Sequence, residues 1–242
     1  MFIRIATISL LTAATFGGFL HAATIDTTDP GVIAAFQSGA TVVNFESISG
    51  RTPQSITSYT NGAAVNPASF IFDQIPGVQF SVGGMVGTNE PALYSLGAGI
   101  AGDAKSPTTV LGPVDFSFNT LFGSGAQIEI FFPTKVSKVG FWLNPSLGNV
   151  ELIAADTNFA FSHETETTLE TANPVTAGHF VGIQRATADI GGFKIIGLGS
   201  TGFTIDDFTF GGTAATTTPE PSTFILLGCG LAALIARRRY RR

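Results

Sequence analysis

Residues 126–143 read AQIEIFFPTKVSKVGFWL, and this stretch decides the fold. Ala126–Phe132 and Val136–Leu143 both carry strand character. Glu129 sits among alternating apolar residues, the pattern of a strand with one buried face and Glu129 turned outward. Downstream, the same character recurs in Asn149–Ala154, Asn158–Ser162, His179–Gln184, Phe193–Ile196 and Phe203–Phe210. Upstream it recurs in Thr41–Glu46, Gly77–Val82 and Val114–Phe118. Turn signals separate the segments: Gly123-Ser124-Gly125, Pro145, Asp156-Thr157-Asn158 and Gly191-Gly192. About ten short strands without βα alternation predict an all-β sandwich. The 22 phenylalanines fit that reading, because a ring without a polar tip fills the slot between two sheets. A sugar-stacking platform would favour exposed Trp and Tyr. The chain has one Trp and three Tyr, one of them Tyr240 in the tail, so most Phe are assigned to the core.

One short helix precedes the strands. Asp29 suits an N-cap, Pro30 the first helical position, and Val32, Ile33 and Phe36 recur at helical spacing up to Gly39. Ser47–Pro67 reads as a loop, and Gly83–Gly112 is glycine-rich with little periodicity.

Composition bounds the function. Of 242 residues, those between the two ends form one domain of about 195. The single cysteine, Cys229, lies in the tail, so the domain holds no disulfide within the chain. Net charge is −5 overall, but residues 24–218 hold 6 basic and 16 acidic residues, or −10. So acidic a surface argues against nucleic acid and anionic lipid as partners, and leaves carboxylates for a hard cation.

Both termini carry targeting features. In residues 1–23, Arg4 is a basic n-region and Ile5–Leu20 an apolar h-region. Ala22 and Ala23 offer a cleavage site, which together make a secretory signal helix. An uncleaved anchor is the alternative, since the h-region nears spanning length. Residues 24–212 are then the exported domain, 213–221 a linker, 222–236 a transmembrane segment and 237–242 a basic cytoplasmic tail. The 15 apolar residues Ser222–Ala236 span roughly 22 Å as a helix, short of a ~30 Å hydrocarbon core. Local thinning and snorkelling arginines make up the difference. Arg237, Arg238, Arg239, Arg241 and Arg242 hold that end in the cytoplasm.

The tail resembles the PEP-CTERM sorting signal of Gram-negative bacteria, on Pro219-Glu220-Pro221-Ser222, the short apolar span from Thr223 and the terminal arginines. The resemblance implies an exosortase as partner. That enzyme would recognise Pro219, Glu220 and Pro221 in a protein exported through the inner membrane. It would release the transiently anchored chain to the cell surface or extracellular matrix. The domain is also similar to a jelly roll found upstream of such tails. The similarity rests on Val43-Asn44-Phe45-Glu46, Gly77-Val78-Gln79-Phe80, Val139-Gly140-Phe141, Phe180-Val181-Gly182-Ile183 and Phe203-Thr204-Ile205-Asp206-Asp207-Phe208. It implies a lectin-like, jelly-roll-like β-sandwich.

Catalytic patterns are sparse. There is no HExxH, GxSxG, Walker A or CxxC motif. His163, beside Glu164 and Glu166, reads as a solvated strand edge, and His179 as a cap or surface residue. Asp206 and Asp207 are adjacent on a strand, so alternation sends them to opposite faces. In jelly rolls of this kind a closing-strand acid helps hold a structural Ca²⁺ against an early strand, which the resemblance carries to Asp206 or Asp207. Glu46 is added as a third ligand from the early strand. The simpler alternative is that one Asp accepts backbone hydrogen bonds at a bend and the other is solvated. The expectation is a non-enzymatic surface or matrix protein, binding glycan or acting structurally in exopolysaccharide or biofilm. The rival is a secreted hydrolase on a lectin-like β-sandwich.

Overall fold

The structure is a computed structural model that describes residues 23–59, 64–81, 90–114, 126–156, 167–198 and 202–212. Its elements in chain order are β1 (Ala23–Thr27), α1 (Pro30–Gln37), β2 (Ala40–Val43), β3 (Gln54–Ile56), β4 (Gln79–Ser81), β5 (Ala92–Leu96) and β6 (Thr109–Gly112). They continue with β7 (Gln127–Val136), β8 (Lys138–Leu143), β9 (Val150–Ala155), β10 (Thr168–Val175), β11 (Phe180–Gln184), β12 (Ile190–Gly197) and β13 (Ile205–Gly211). Two sheets form the expected sandwich. The first runs β1-β11-β8-β13-β6-β5-β3, with β2 pairing the far end of β13. The second runs β10-β9-β12-β7-β4.

Alternation on the central strands builds the core. Ile128, Ile130 and Phe132 of β7 face Val139, Phe141 and Leu143 of β8 across the slot, with Phe80, Phe193, Phe203 and Phe208 between them. Each such side chain is stabilised by about 1.5–3 kcal/mol on burial. Glu129 points the other way, as its alternation predicts, yet it is buried and paired with Lys194 on the neighbouring strand, Nζ to Oε1 3.0 Å. Its Oε2 and the Ser81 hydroxyl have no hydrogen-bond partner.

The helix is the predicted one. Asp29 Oδ1 accepts from the N–H groups of Gly31 and Val32, at 2.7 and 3.3 Å. Its last turn ends at Gln37, before Gly39 with φ +68°. Phe36 anchors it to the outer face of the first sheet. There Gly140 and Gly182 lie opposite each other on β8 and β11 and form a side-chain-free floor. Phe36 meets Phe180 edge-on at 5.3 Å. Lys138 reaches up from the sheet and donates to the carbonyls of Phe36 and Ser38, both at 2.6 Å, placing a cation at the helix C-terminus.

A second, smaller core covers the other flank of the same outer face: Ile56, Val65, Ala92, Tyr94, Leu96, Val110 and Val114. This corrects the reading of Gly83–Gly112 as aperiodic. β5 and β6 lie within it, and both of their faces are buried. Leu93 and Leu111 enter the main core while their neighbours enter the second, so no alternation appears. β1, β3 and β10 were likewise not expected. The strand expected over Thr41–Glu46 stops at Val43, because Phe45 turns with φ +61°. The strand expected at Asn158–Ser162, most of that at Val114–Phe118, the signal segment up to Ala22, the linker and the tail lie outside the described residues. Among the described residues no helix is long and apolar enough to cross a membrane.

A Cβ on Gly182 would sit 2.6 Å from the Val139 carbonyl oxygen and 2.8 Å from the Gly140 Cα, both backbone atoms. Gly182→Ala is therefore expected to cost about 2 kcal/mol, a drop of roughly 4–8 °C in Tm. Thermal melts of the full-length chain in a non-glycosidic detergent measure it; an unchanged Tm would refute the close-packed floor.

Candidate functional site

Glu46 and Asp206, two of the three acidic residues predicted to act together, both reach residues 105–109 on the outer face of the first sheet, between helix α1 and the second core. Two backbone irregularities put them there. The first follows β2. Asn44 Oδ1 accepts from the Glu46 N–H (3.3 Å), and Phe45 takes a left-handed conformation with its ring in the core. That turn delivers Glu46 to the start of β6. Its Oε1 accepts from the N–H groups of Thr108 (2.9 Å) and Thr109 (2.7 Å).

The second is a bulge in β13. Asp206 opposes Trp142 and Thr209 opposes Gly140, so three steps along β13 match two along β8. The extra residue is Asp207, at φ +46°. Phe208, not Asp207, takes the inward position. The bulge interrupts the alternation on which the expectation of opposite faces rested. Asp206 Oδ2 accepts from the Lys105 N–H (2.8 Å), and the Lys105 charge acts on Asp207.

Ser106 joins the two halves. Its N–H donates to Asp206 Oδ2 at 2.6 Å. Its Oγ lies 2.8 Å from both Asp206 oxygens, 2.8 Å from the Asn44 carbonyl and 3.3 Å from Glu46 Oε1. A hydroxyl has one proton, so it donates to one of these acceptors at a time. Burial pushes the Asp206 and Asp207 carboxyls up; the hydrogen bonds from Ser106 oppose this at Asp206, and the Lys105 charge opposes it at Asp207. At Glu46 burial also acts upward, but the Thr108 and Thr109 hydrogen bonds win and hold it below the usual carboxylate range.

These contacts bear on calcium. The groups aimed at the two carboxylates are N–H donors from Lys105, Ser106, Thr108, Thr109 and Asp207. Their positive ends point where a cation would sit. Asp207 stands outside the junction, and no three His, Cys, Asp or Glu side chains among the described residues are grouped to hold a metal. The residues at Glu46, Asp206 and Asp207 do not fit a calcium ion; they fit a hydrogen-bonded strap that ties residues 105–109 to the sheet.

Beside the strap lies Trp142, which the sequence puts in the strand expected over Val136–Leu143 without marking it as a site residue. It is half-buried on the outer face, with the Lys105 ammonium 4.4 Å from its ring centroid. Two residues on, just past the end of β8, Asn144 Nδ2 donates to the Tyr59 hydroxyl (2.6 Å) and Thr204 Oγ1 (2.8 Å). Burial raises the Tyr59 phenol well above its ordinary range.

His179, expected as a cap or surface residue, is half-buried immediately before β11. Its Nδ1 meets Asp26 Oδ1 of β1 at 2.5 Å. Asp26 Oδ2 accepts from the Thr176 N–H and hydroxyl, both at 2.9 Å. Among the described residues, the hydroxyl bonded in this cluster, that of Thr176, serves the aspartate rather than the imidazole, and the group latches an edge strand. His163, Pro219, Glu220, Pro221 and the five tail arginines lie outside the described residues.

Two outcomes follow. Glu46→Ala strands the Thr108 and Thr109 N–H groups and is expected to cost about 2 kcal/mol at pH 7. Because the folded pKa of Glu46 lies below the unfolded one, its contribution is present above the unfolded value and is lost as pH falls through the folded value. The gap in Tm between wild type and variant should therefore narrow below about pH 4, where the neutral carboxyl still accepts from the two N–H groups but without charge assistance; a gap that does not narrow would refute the charge-assisted role. Asp206 and Asp207 have the opposite sign: their raised values favour the folded state at low pH, and that contribution is lost as pH rises through them. Second, millimolar Ca²⁺ and EDTA should leave Tm within about 1 °C of each other, whereas a tightly held ion would add several kcal/mol.

No curated protein matches the chain. Solved structures give distant likenesses. The carbohydrate-binding module TmCBM61, in complex with β-1,4-galactotriose, is 19% identical over 54% of this chain and 86% of its own, with a TM-score of 0.31. The K2 cleaved adhesin domain of Lys-gingipain is 11% identical over 54% and 88%, TM-score 0.34. The CBM32-1 and CBM32-2 domains of Clostridium perfringens ZmpB, in complex with GalNAc, are 12% identical over 78% and 39%, TM-score 0.35. At these scores the likeness carries no ligand across. The tail is another matter: residues 217–242 match the PEP-CTERM protein-sorting motif, so the chain carries the C-terminal sorting signal of an exported protein.

Proposed function

We propose that this is a non-enzymatic surface or matrix protein of a Gram-negative bacterium, delivered by its tail. The apolar segment 222–236 holds it transiently in the inner membrane, with Arg237–Arg242 on the cytoplasmic side. An exosortase reads Pro219-Glu220-Pro221 and passes the chain to the cell surface or extracellular matrix. There the β-sandwich binds neutral glycan in exopolysaccharide or biofilm. The observation that carries this reading is the match of residues 217–242 to the sorting motif. The charge of residues 24–218 supports an uncharged partner, and the His179–Asp26 latch gives no support to the hydrolase alternative.

Mass spectrometry of protein released by the native cells tests the delivery. The expected species begins at Ala23 or Thr24 and lacks Arg237–Arg242. Surface protein that retains the arginines would rule out tail processing.

A further inference from the structure

We propose that Trp142, Lys105 and Asp207 form a stacking site for a neutral pyranose, on the strip of the first sheet left between helix α1 and the second core. The inference rests on the glycan-binding reading above and gives it a location.

Trp142 shares a row with Phe180 and Asp206 across β11, β8 and β13. On one side, Phe36 covers Phe180, Gly140 and Gly182. On the other, the strap over Asp206 and the second core close the sheet. The indole is left half-exposed in the middle. It is the only tryptophan in the chain, and it lies outside both cores.

Three polar groups here lack hydrogen-bond partners among the described residues. The indole N–H makes none. The Lys105 ammonium rests on the ring and pairs with no carboxylate within salt-bridge distance. The half-buried Asp207 carboxylate accepts no hydrogen bond, although its backbone N–H donates to Asp206. Two donors and one acceptor thus border an aromatic face. A pyranose matches that set: its C–H face packs on the ring, and its hydroxyls both accept and donate. The ammonium is held over the ring by a contact worth only about 0.5–1 kcal/mol at an exposed site, and its four-carbon stem lets it swing onto a hydroxyl. The strap hydrogen bonds fix the Lys105 backbone, and the bulge fixes the Asp207 backbone, so only the Lys105 side chain moves when a ligand arrives. The net charge of −10 over residues 24–218 selects against polyuronates.

The sole tryptophan makes the test site-specific. The full-length chain, in a non-glycosidic detergent, is titrated with dextran, galactomannan and alginate while Trp142 emission is followed. Retention on the same polysaccharides, immobilised, is measured independently of fluorescence. The expected result is an emission change and retention with at least one neutral polymer and neither with alginate. Trp142→Ala, Lys105→Met and Asp207→Asn should each weaken retention, the first by about tenfold or more, the scale of removing an aromatic anchor. Lys105→Met and Asp207→Asn alter partly or fully exposed side chains, so they decide the matter if Trp142→Ala fails to fold. Retention on a neutral polymer unchanged in both would overturn the site and leave the glycan reading standing. Absence of wild-type retention on every polymer of a wider neutral panel would overturn the reading and the site together. Preference for alginate would overturn the neutral class.

Discussion

Phe208 enters the main core only because β13 carries one residue more than β8 opposite it. Once inside, it is the hub of the phenylalanine cluster. It meets Phe80 at 5.6 Å, Phe210 at 5.2 Å and Phe45 at 6.5 Å. The same insertion keeps the Asp207 carboxylate from the inward position, where an unpaired charge would be prohibitive. Asp207 accepts a left-handed backbone, uncommon for a residue with a side chain, as the local cost. Packing on one side of the sheet and polar chemistry on the other are therefore set by a single irregularity.

The outer face shows what the polar side does. Asp206 and Glu46 each gather backbone N–H groups from residues 105–109, which have no ladder partner at those points. A carboxylate that accepts such bonds substitutes for a neighbouring strand. This lets the chain leave β5, cross the sheet and re-enter as β6 while its amides stay satisfied. The helix on the other flank uses a different device, two opposed glycines and a lysine beneath its last turn. Both flanks are thus fixed by chemistry that repetitive pairing could not supply.

Much of this was legible in the sequence. The helix was, because Asp29, Pro30 and Gly39 are terminal signals with a mechanism. The central strands were, because each has one buried face and so alternates. β5 and β6 were not, because a strand buried on both faces carries no period, and glycines around them read as loop. Glu46 and Asp206 are joined not by a cation but by Ser106, which is 60 and 100 residues away from each. The chemistry was misread for the same reason. Acidic residues on an early and a closing strand look like cation ligands until the backbone donors are in view. Nothing in Asp206-Asp207-Phe208 announces a bulge, so alternation carried straight through it fails at Phe208. Trp142 fell in an expected strand and was counted as scarce, and neither marked it as a site residue.

The place of β13 bears on how the domain responds to force. It ends at Gly211, and the sorting signal begins a few residues later. Any tension on the tail would reach the sheet through β13. β13 lies inside the sheet, antiparallel to β8 on one side and to β6 and β2 on the other. A pull along such a strand loads its rungs together in shear instead of opening them one by one. β1, by contrast, is an outer strand tied by one ladder and the Asp26 latch. The domain is mechanically lopsided: firm where its tail would drag on it, and loose at the opposite border.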